Sequence, residues 1–100
     1  MPIVASGLVQ QDEVLKRVKR LQELFATDPE VARIDHRLAQ DWSGDDSIFV
    51  DVVLRKATPS AAVVARLSEQ IGTALLRVVR SEELGLHSYF NFLSMPEHGR

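Results

Sequence analysis

The chain contains no cysteine. Disulfides, thiolate metal sites and thiol nucleophiles are therefore excluded, and the composition suits a reducing, cytoplasmic interior. An excess of one charge is also lacking. Twelve basic and 14 acidic residues leave a formal net charge of −2, which gives no general reason for nucleic acid or anionic lipid to bind. No apolar run approaches the roughly 20 residues that span a bilayer, so no membrane partner is expected. Residues 1–9 lack the basic flank and long apolar core of a signal peptide. There is no Gly-rich phosphate loop and no Gly-x-Ser-x-Gly elbow to activate Ser43, Ser47 or Ser88. His87, Tyr89 and Asn91 would share a strand face, but a small open sheet gives acid–base chemistry no pocket. The expectation is a protein with no catalytic residues, no metal and no cofactor.

What is present is ordinary globular material: 100 residues, 45% hydrophobic and 26% charged. That is one domain, residues 1–100, with 1–10 read as an N-terminal arm and 95–100 as a tail. A core this small gains from burial against a second copy.

From Gln11 to about Ala26, Val14, Val18, Leu21 and Phe25 recur at helical spacing, with Leu15 and Leu24 widening the stripe. Asp28-Pro29 ends this helix, because a residue before proline is pushed out of helical geometry. Val31 to Ala39 alternates Ile34, His36 and Leu38 with Arg33, Asp35 and Arg37, which predicts a strand. Ser47 to Arg55 is dense in Ile, Phe and Val and predicts a second. The short stretch between them holds Gly44 for any positive φ, so the two form an antiparallel hairpin. A second helix starts at Thr58, Pro59 or Ser60 and carries Val64, Leu67, Ile71, Leu75 and Val78, thickened by Val63, Ala74 and Val79. It runs to about Leu84, where Gly85 can close it, and Gly72 inside it reads as a close-packing point. Leu86 to Leu93 is a third strand, parallel to the second across a helical crossover. The predicted fold is α+β and ferredoxin-related: αββαβ order, a three-stranded mixed sheet and both helices on one face.

One sheet face then carries Ile48, Val50, Val52, Leu54, Leu86, Phe90 and Phe92. The other carries Phe49, Val53, Tyr89, Leu93 and His87, rimmed by Arg33, Asp35, Arg37, Asp51 and Arg55. An apolar, aromatic surface with a charged rim, on the face the helices leave bare, has the composition of an interface. The expected partner is a second copy of the chain or another protein.

The hairpin loop QDWSGDD holds the only tryptophan and three carboxylates. Asp41, Ser43 and Asp45 start like a calcium loop, but Gly44 falls at the fourth place and Val52 replaces the closing glutamate. Gly44-Asp45-Asp46 lacks the further carboxylate and surrounding architecture of a two-metal polymerase site. Turn chemistry is the simplest reading, with Trp42 folded over the hairpin end. Asp41, Trp42, Asp45 and Asp46 remain as a loop that can touch a partner. His36 and His87 point to opposite faces and cannot share an ion, and His36 is expected to be buried or half-buried. The run Lys16-Arg17-Val18-Lys19-Arg20 has acidic neighbours four residues away at Asp12, Glu13 and Glu23, so it reads as a solvated helix face and not as a nucleic-acid patch.

The element order, with Ile34 and Arg37 before Gly44, then IFVDVVL, a long helix and Leu86-His87, resembles the cytoplasmic domain of cation-diffusion-facilitator transporters. The resemblance covers about Val31 to His87 and implies a ferredoxin-related fold and a dimer. In that family, metal-binding histidines lie on the second strand, near the start of the second helix and on the last strand. Asp51 or Val53 and Ala61 or Ala62 occupy the first two places, leaving His87. DWSGDDSIFVDVVL and EELGLHSYFNFLS also resemble short uncharacterised bacterial proteins, which implies a standalone bacterial unit. The sequence therefore points to a small interaction module, homodimeric through its bare sheet face, with an accessory or regulatory role. Its rivals are an antitoxin-like neutraliser that covers a neighbouring enzyme with the 41–46 loop, and a metal- or ligand-responsive domain using His87 and that loop.

Overall fold

A computed structural model describes residues 2–95, with side chains from residue 11 onward. The side chains of Ile3 and Val4, and the tail from Pro96 that includes His98, lie outside the described residues.

Helix α1 spans Pro2–Leu24. Residues 2–10, expected to be an arm, continue the helix. Its buried stripe is Val14, Val18, Leu21 and Phe25, the side chains that the 3.6-residue period aligns. Leu15 and Leu24 do not widen that stripe; both are more than half exposed. The helix stops at Leu24, two residues earlier than the pattern suggests, because the chain turns back through Phe25 to Asp28. Asp28 holds the turn: its Oδ1 accepts the Glu30 amide at 2.9 Å, and its Oδ2 accepts Arg66 from the second helix at 2.9 Å.

Strands β1 (Val31–Gln40) and β2 (Asp46–Leu54) form the antiparallel hairpin, in register from Val31↔Leu54 to Gln40↔Asp46 with a bulge between Val31 and Arg33. Ile48, Val50 and Val52 are completely buried, and Leu54 nearly so. Each contributes roughly 1.5–3 kcal/mol by leaving water. Their face carries one core together with Val14, Val18 and Leu21 of α1 and Leu67 and Ile71 of the second helix. Both helices therefore lie on one side of the sheet, as the alternation predicts. His36 shares that side and is half-buried.

Helix α2 spans Ala61–Ala74 and is capped by Ser60, whose hydroxyl accepts the Val63 amide at 3.2 Å. It does not run on to Leu84. Leu75–Val79 widens into a π-helical turn, Arg80 takes the left-handed conformation at φ 47, and Ser81–Leu84 forms a 3-10 turn closed by Gly85 at φ 71. The wide turn rotates the face, so that Val79 is fully buried and Val78 only partly. Arg17 explains why the turn is tolerated. Its guanidinium donates to the carbonyls of Val79 (2.9 Å) and Arg80 (3.3 Å) and pairs with Glu13 and Glu83. Arg17 is thus a clamp between α1 and the end of α2, not one charge on a wet face. Among the described residues, Glu13–Arg17 is the one pair within α1 that closes to ion-pair distance.

Strand β3 (His87–Ser94) lies parallel to β2, from Ser47↔His87 to Leu54↔Ser94, giving the order β1-β2-β3 with β2 central. No helix among the described residues is long and apolar enough to cross a membrane.

Candidate interaction surface at the hairpin loop

The registers place Arg37, Phe49 and Tyr89 in one row across β1, β2 and β3, on the face both helices leave bare. Strand alternation sends all three side chains the same way, and they stack. The Arg37 guanidinium carbon lies 4.6 Å from the centre of the Phe49 ring, and Phe49 stacks on Tyr89 at 5.3 Å and 21°. Trp42 then leans on Tyr89 at 5.0 Å and 49°. Arg37 has no ion-pair partner among the described residues, so its contact with the ring is a cation–π one. The array borders an open depression of about 530 Å³.

The loop that presents Trp42 is built on Asp41. Its Oδ1 accepts the amides of Ser43 (2.9 Å) and Asp45 (3.0 Å), as aspartate does at the start of a tight turn. Its Oδ2 accepts the hydroxyls of Tyr89 (2.9 Å) and Ser47 (3.2 Å). Gly44 supplies φ 86 at the reversal. Desolvation pushes the Asp41 carboxyl upward, but the bonds from Tyr89, Asp45, Ser43 and Ser47 outweigh it and lower its pKa to about 2. The same contact raises the Tyr89 phenol above its ordinary value, with burial adding to the effect of the carboxylate.

Two of the expected contact residues are corrected by this geometry. Asp41 is only 8% exposed and its oxygens accept from Ser43, Asp45, Ser47 and Tyr89, so it shapes the surface from beneath. Val53 is 2% exposed: it sits mid-sheet on the central strand, flanked in register by Arg33 and Leu93. Trp42 is corrected in the opposite sense. It does not close over the hairpin end but stands 81% exposed, touching Tyr89 along one side. Phe49 is half-buried beneath Arg37, Tyr89 is half-buried, and Leu93 is 47% exposed. His87 and Asp45 are both exposed and form a 3.4 Å pair at the edge of the array, and Asp46 is exposed beside them.

Asp41, Asp45 and His87 bring one ligand atom each within 4.8 Å of one another. The metal- or ligand-responsive reading paired His87 with this loop, and the β2–β3 pairing brings the two together across more than 40 residues. Both Asp41 oxygens already accept two hydrogen bonds each, so Asp45 and His87 are the exposed ligands of the three. His36 is on the opposite face, as alternation requires.

Ser47 was missed as a site residue, and Arg37, expected on the rim of the face, stands over the Phe49 ring. Ser47 is 1% exposed and donates to Asp41 and to the Asp45 carbonyl. A serine six residues after the turn aspartate was the available signal. No family model matches the chain, and neither curated proteins nor solved structures give a match.

Proposed function

We propose that this chain is a non-enzymatic protein-interaction module that self-associates and serves an accessory or regulatory role in a bacterial cytoplasm. Its contact region is the helix-free sheet face with the β3 border of that face. The observation that carries the reading is the array Arg37–Phe49–Tyr89–Trp42, an aromatic surface held rigid by a four-bond aspartate and left open to solvent. Aromatic and arginine side chains that are fixed in advance are the groups that dominate protein interfaces, because little entropy is lost when they are covered. The sequence resemblance to dimerising cytoplasmic domains of cation-diffusion-facilitator transporters adds support for self-association.

Sedimentation or light scattering across a concentration series tests the reading. A dimer that forms with rising concentration supports it, and a monomer at the highest concentration removes it. A second reading, the antitoxin-like neutraliser, is favoured by one observation: Trp42 is 81% exposed beside the acidic Asp45 and Asp46. In that case a complex with a neighbouring enzyme would be lost in Trp42→Ala while the dimer persisted.

A further inference from the structure

The two edges of the sheet are not alike. The outer edge of β1 carries Arg33, Asp35 and Arg37 and is broken by the bulge between Val31 and Arg33. Charges and bulges are how natural sheets keep another strand from adding to an open edge. The outer edge of β3 has neither. His87–Ser94 reads HSYFNFLS, eight residues with no lysine, arginine, carboxylate, proline or glycine, regularly paired to β2 along its whole length.

Which amides face that edge follows from one bond. The Met95 amide donates to the Leu54 carbonyl, so Met95 points its backbone towards β2. Backbone groups alternate along a strand, and the N–H and C=O of Ser88, Phe90, Phe92 and Ser94 therefore point outward. Among the described residues, no backbone hydrogen bond reaches the outward amides of Ser88, Phe90 and Phe92. Phe90 and Phe92 are also only partly covered on the helix side, packed edge to face at 5.8 Å, and Leu93 is 47% exposed on the other.

We infer that the β3 edge pairs with the β3 edge of a second copy of this chain, antiparallel across a twofold axis, making one continuous six-stranded sheet. The inference rests on the self-association proposed above and specifies its geometry as edge to edge. A twofold axis brings the same uncharged strand to both sides, so each copy satisfies the other's outward amides and covers its half-exposed phenylalanines. Growth stops at two copies, because the edges left outside are the charged, bulged β1 strands. The two aromatic arrays then lie on one side of the joined sheet.

Amide hydrogen exchange on the unmodified chain, read by NMR at low and high concentration, tests this. The expected result is that the amides of Ser88, Phe90 and Phe92 exchange freely in the monomer and become protected at least tenfold as the dimer fills. A dimer in which these amides stay unprotected overturns edge pairing while leaving self-association standing. A chain that stays monomeric at every concentration overturns both. Two variants give an independent reading. Asn91→Lys, at the middle of β3, sets like charges against each other across the axis and is expected to weaken the dimer at least tenfold. Glu69→Lys, exposed on α2, is expected to leave it intact. Retention of the dimer in Asn91→Lys, or its loss in Glu69→Lys, would sink the edge geometry.

Discussion

The Tyr89 hydroxyl donates to Oδ2 of Asp41 at 2.9 Å, a bond between residues 48 apart in the chain. It ties the last strand to the hairpin loop, and it holds the Tyr89 ring where both Phe49 and Trp42 meet it. The loop's internal chemistry and the aromatic surface are one construction.

Removing that hydroxyl alone separates the two roles of Tyr89. Tyr89→Phe keeps the ring and its stacking but leaves Asp41 with three donors. The expected outcome is a folded protein whose thermal midpoint falls by about 5 °C. The loop should loosen more than the sheet, so Trp42 fluorescence anisotropy should drop well before the far-ultraviolet signal changes. An unchanged midpoint and anisotropy would show that the bond contributes nothing to the loop.

The same contact makes stability depend on pH at both ends of the scale. The Asp41 carboxyl is lowered from its ordinary 3.8 to about 2. Its ionised form is thus favoured by folding; that contribution is complete above about pH 4 and lost as pH falls towards 2. Asp28, lowered chiefly by the Arg66 hydrogen bond, and Glu13, lowered chiefly by Arg17, add to the same acid limb. The Tyr89 phenol is raised above its ordinary 10.0, so its contribution is present below pH 10 and lost as pH rises through the raised value. Urea midpoints measured from pH 2 to 11 should therefore fall off at both ends. In Tyr89→Phe the alkaline fall should shrink and the acid fall should become shallower. An acid limb as steep as in the unmodified chain would mean that Asp41 is not its source.

Arg17 should matter more than a helix-surface arginine ordinarily does. Its side chain is 13% exposed, and it donates to the Val79 carbonyl and, more weakly, to the Arg80 carbonyl, which also accepts the Glu83 amide at 3.0 Å. Arg17→Ala is expected to destabilise by about 2 kcal/mol, because the part-buried Val79 carbonyl loses the Arg17 donor and the Arg80 carbonyl keeps only the Glu83 amide. The ion pair with the half-exposed Glu83 contributes little of this. Arg17→Lys should recover only part of the loss, since one ammonium cannot reproduce the planar fork that reaches both carbonyls and Glu13. Urea unfolding of the two variants checks both figures, and a cost below about 0.5 kcal/mol for Arg17→Ala would return it to the solvated face.

How much of this was legible depended on range. Periods of 3.6 and 2 are local, and they located α1, β1, β2 and β3 with ends off by one or two residues at most of the boundaries. They also fixed which face Ile48, Val50 and Val52 would bury. The break at Arg80 was not legible, because the apolar pattern continues through Leu75, Val78 and Val79 into Leu84. The helix ends where Arg80 turns left-handed, and the donor to the carbonyls there is Arg17, a residue on another element. The candidate site divides in the same way. Alternation put Phe49, Tyr89, His87 and Leu93 on one face, but alternation cannot tell a central strand from an edge, so Val53 was read as open. Asp41 was read as a contact because its acidity is visible in the sequence and its four donors are not.

Gly72 offers the clearest contrast between a glycine that is needed and one that is not. Its place in α2 suggested close packing, yet a methyl group added there would meet nothing within 4 Å. Its backbone is helical and needs no freedom that only glycine has. Gly72→Ala is therefore expected to stabilise the protein by about 1 kcal/mol, the helix-propensity difference itself. Gly85 also has open space around it, but at φ 71 its conformation is one that a side chain resists. Gly85→Ala is expected to cost about 1 kcal/mol. Chemical denaturation of the two single variants and the double decides the matter. Opposite signs that nearly cancel in the double are the expected outcome, and a destabilising Gly72→Ala would mean that something packs against α2 in solution, with a second copy of the chain the first to examine.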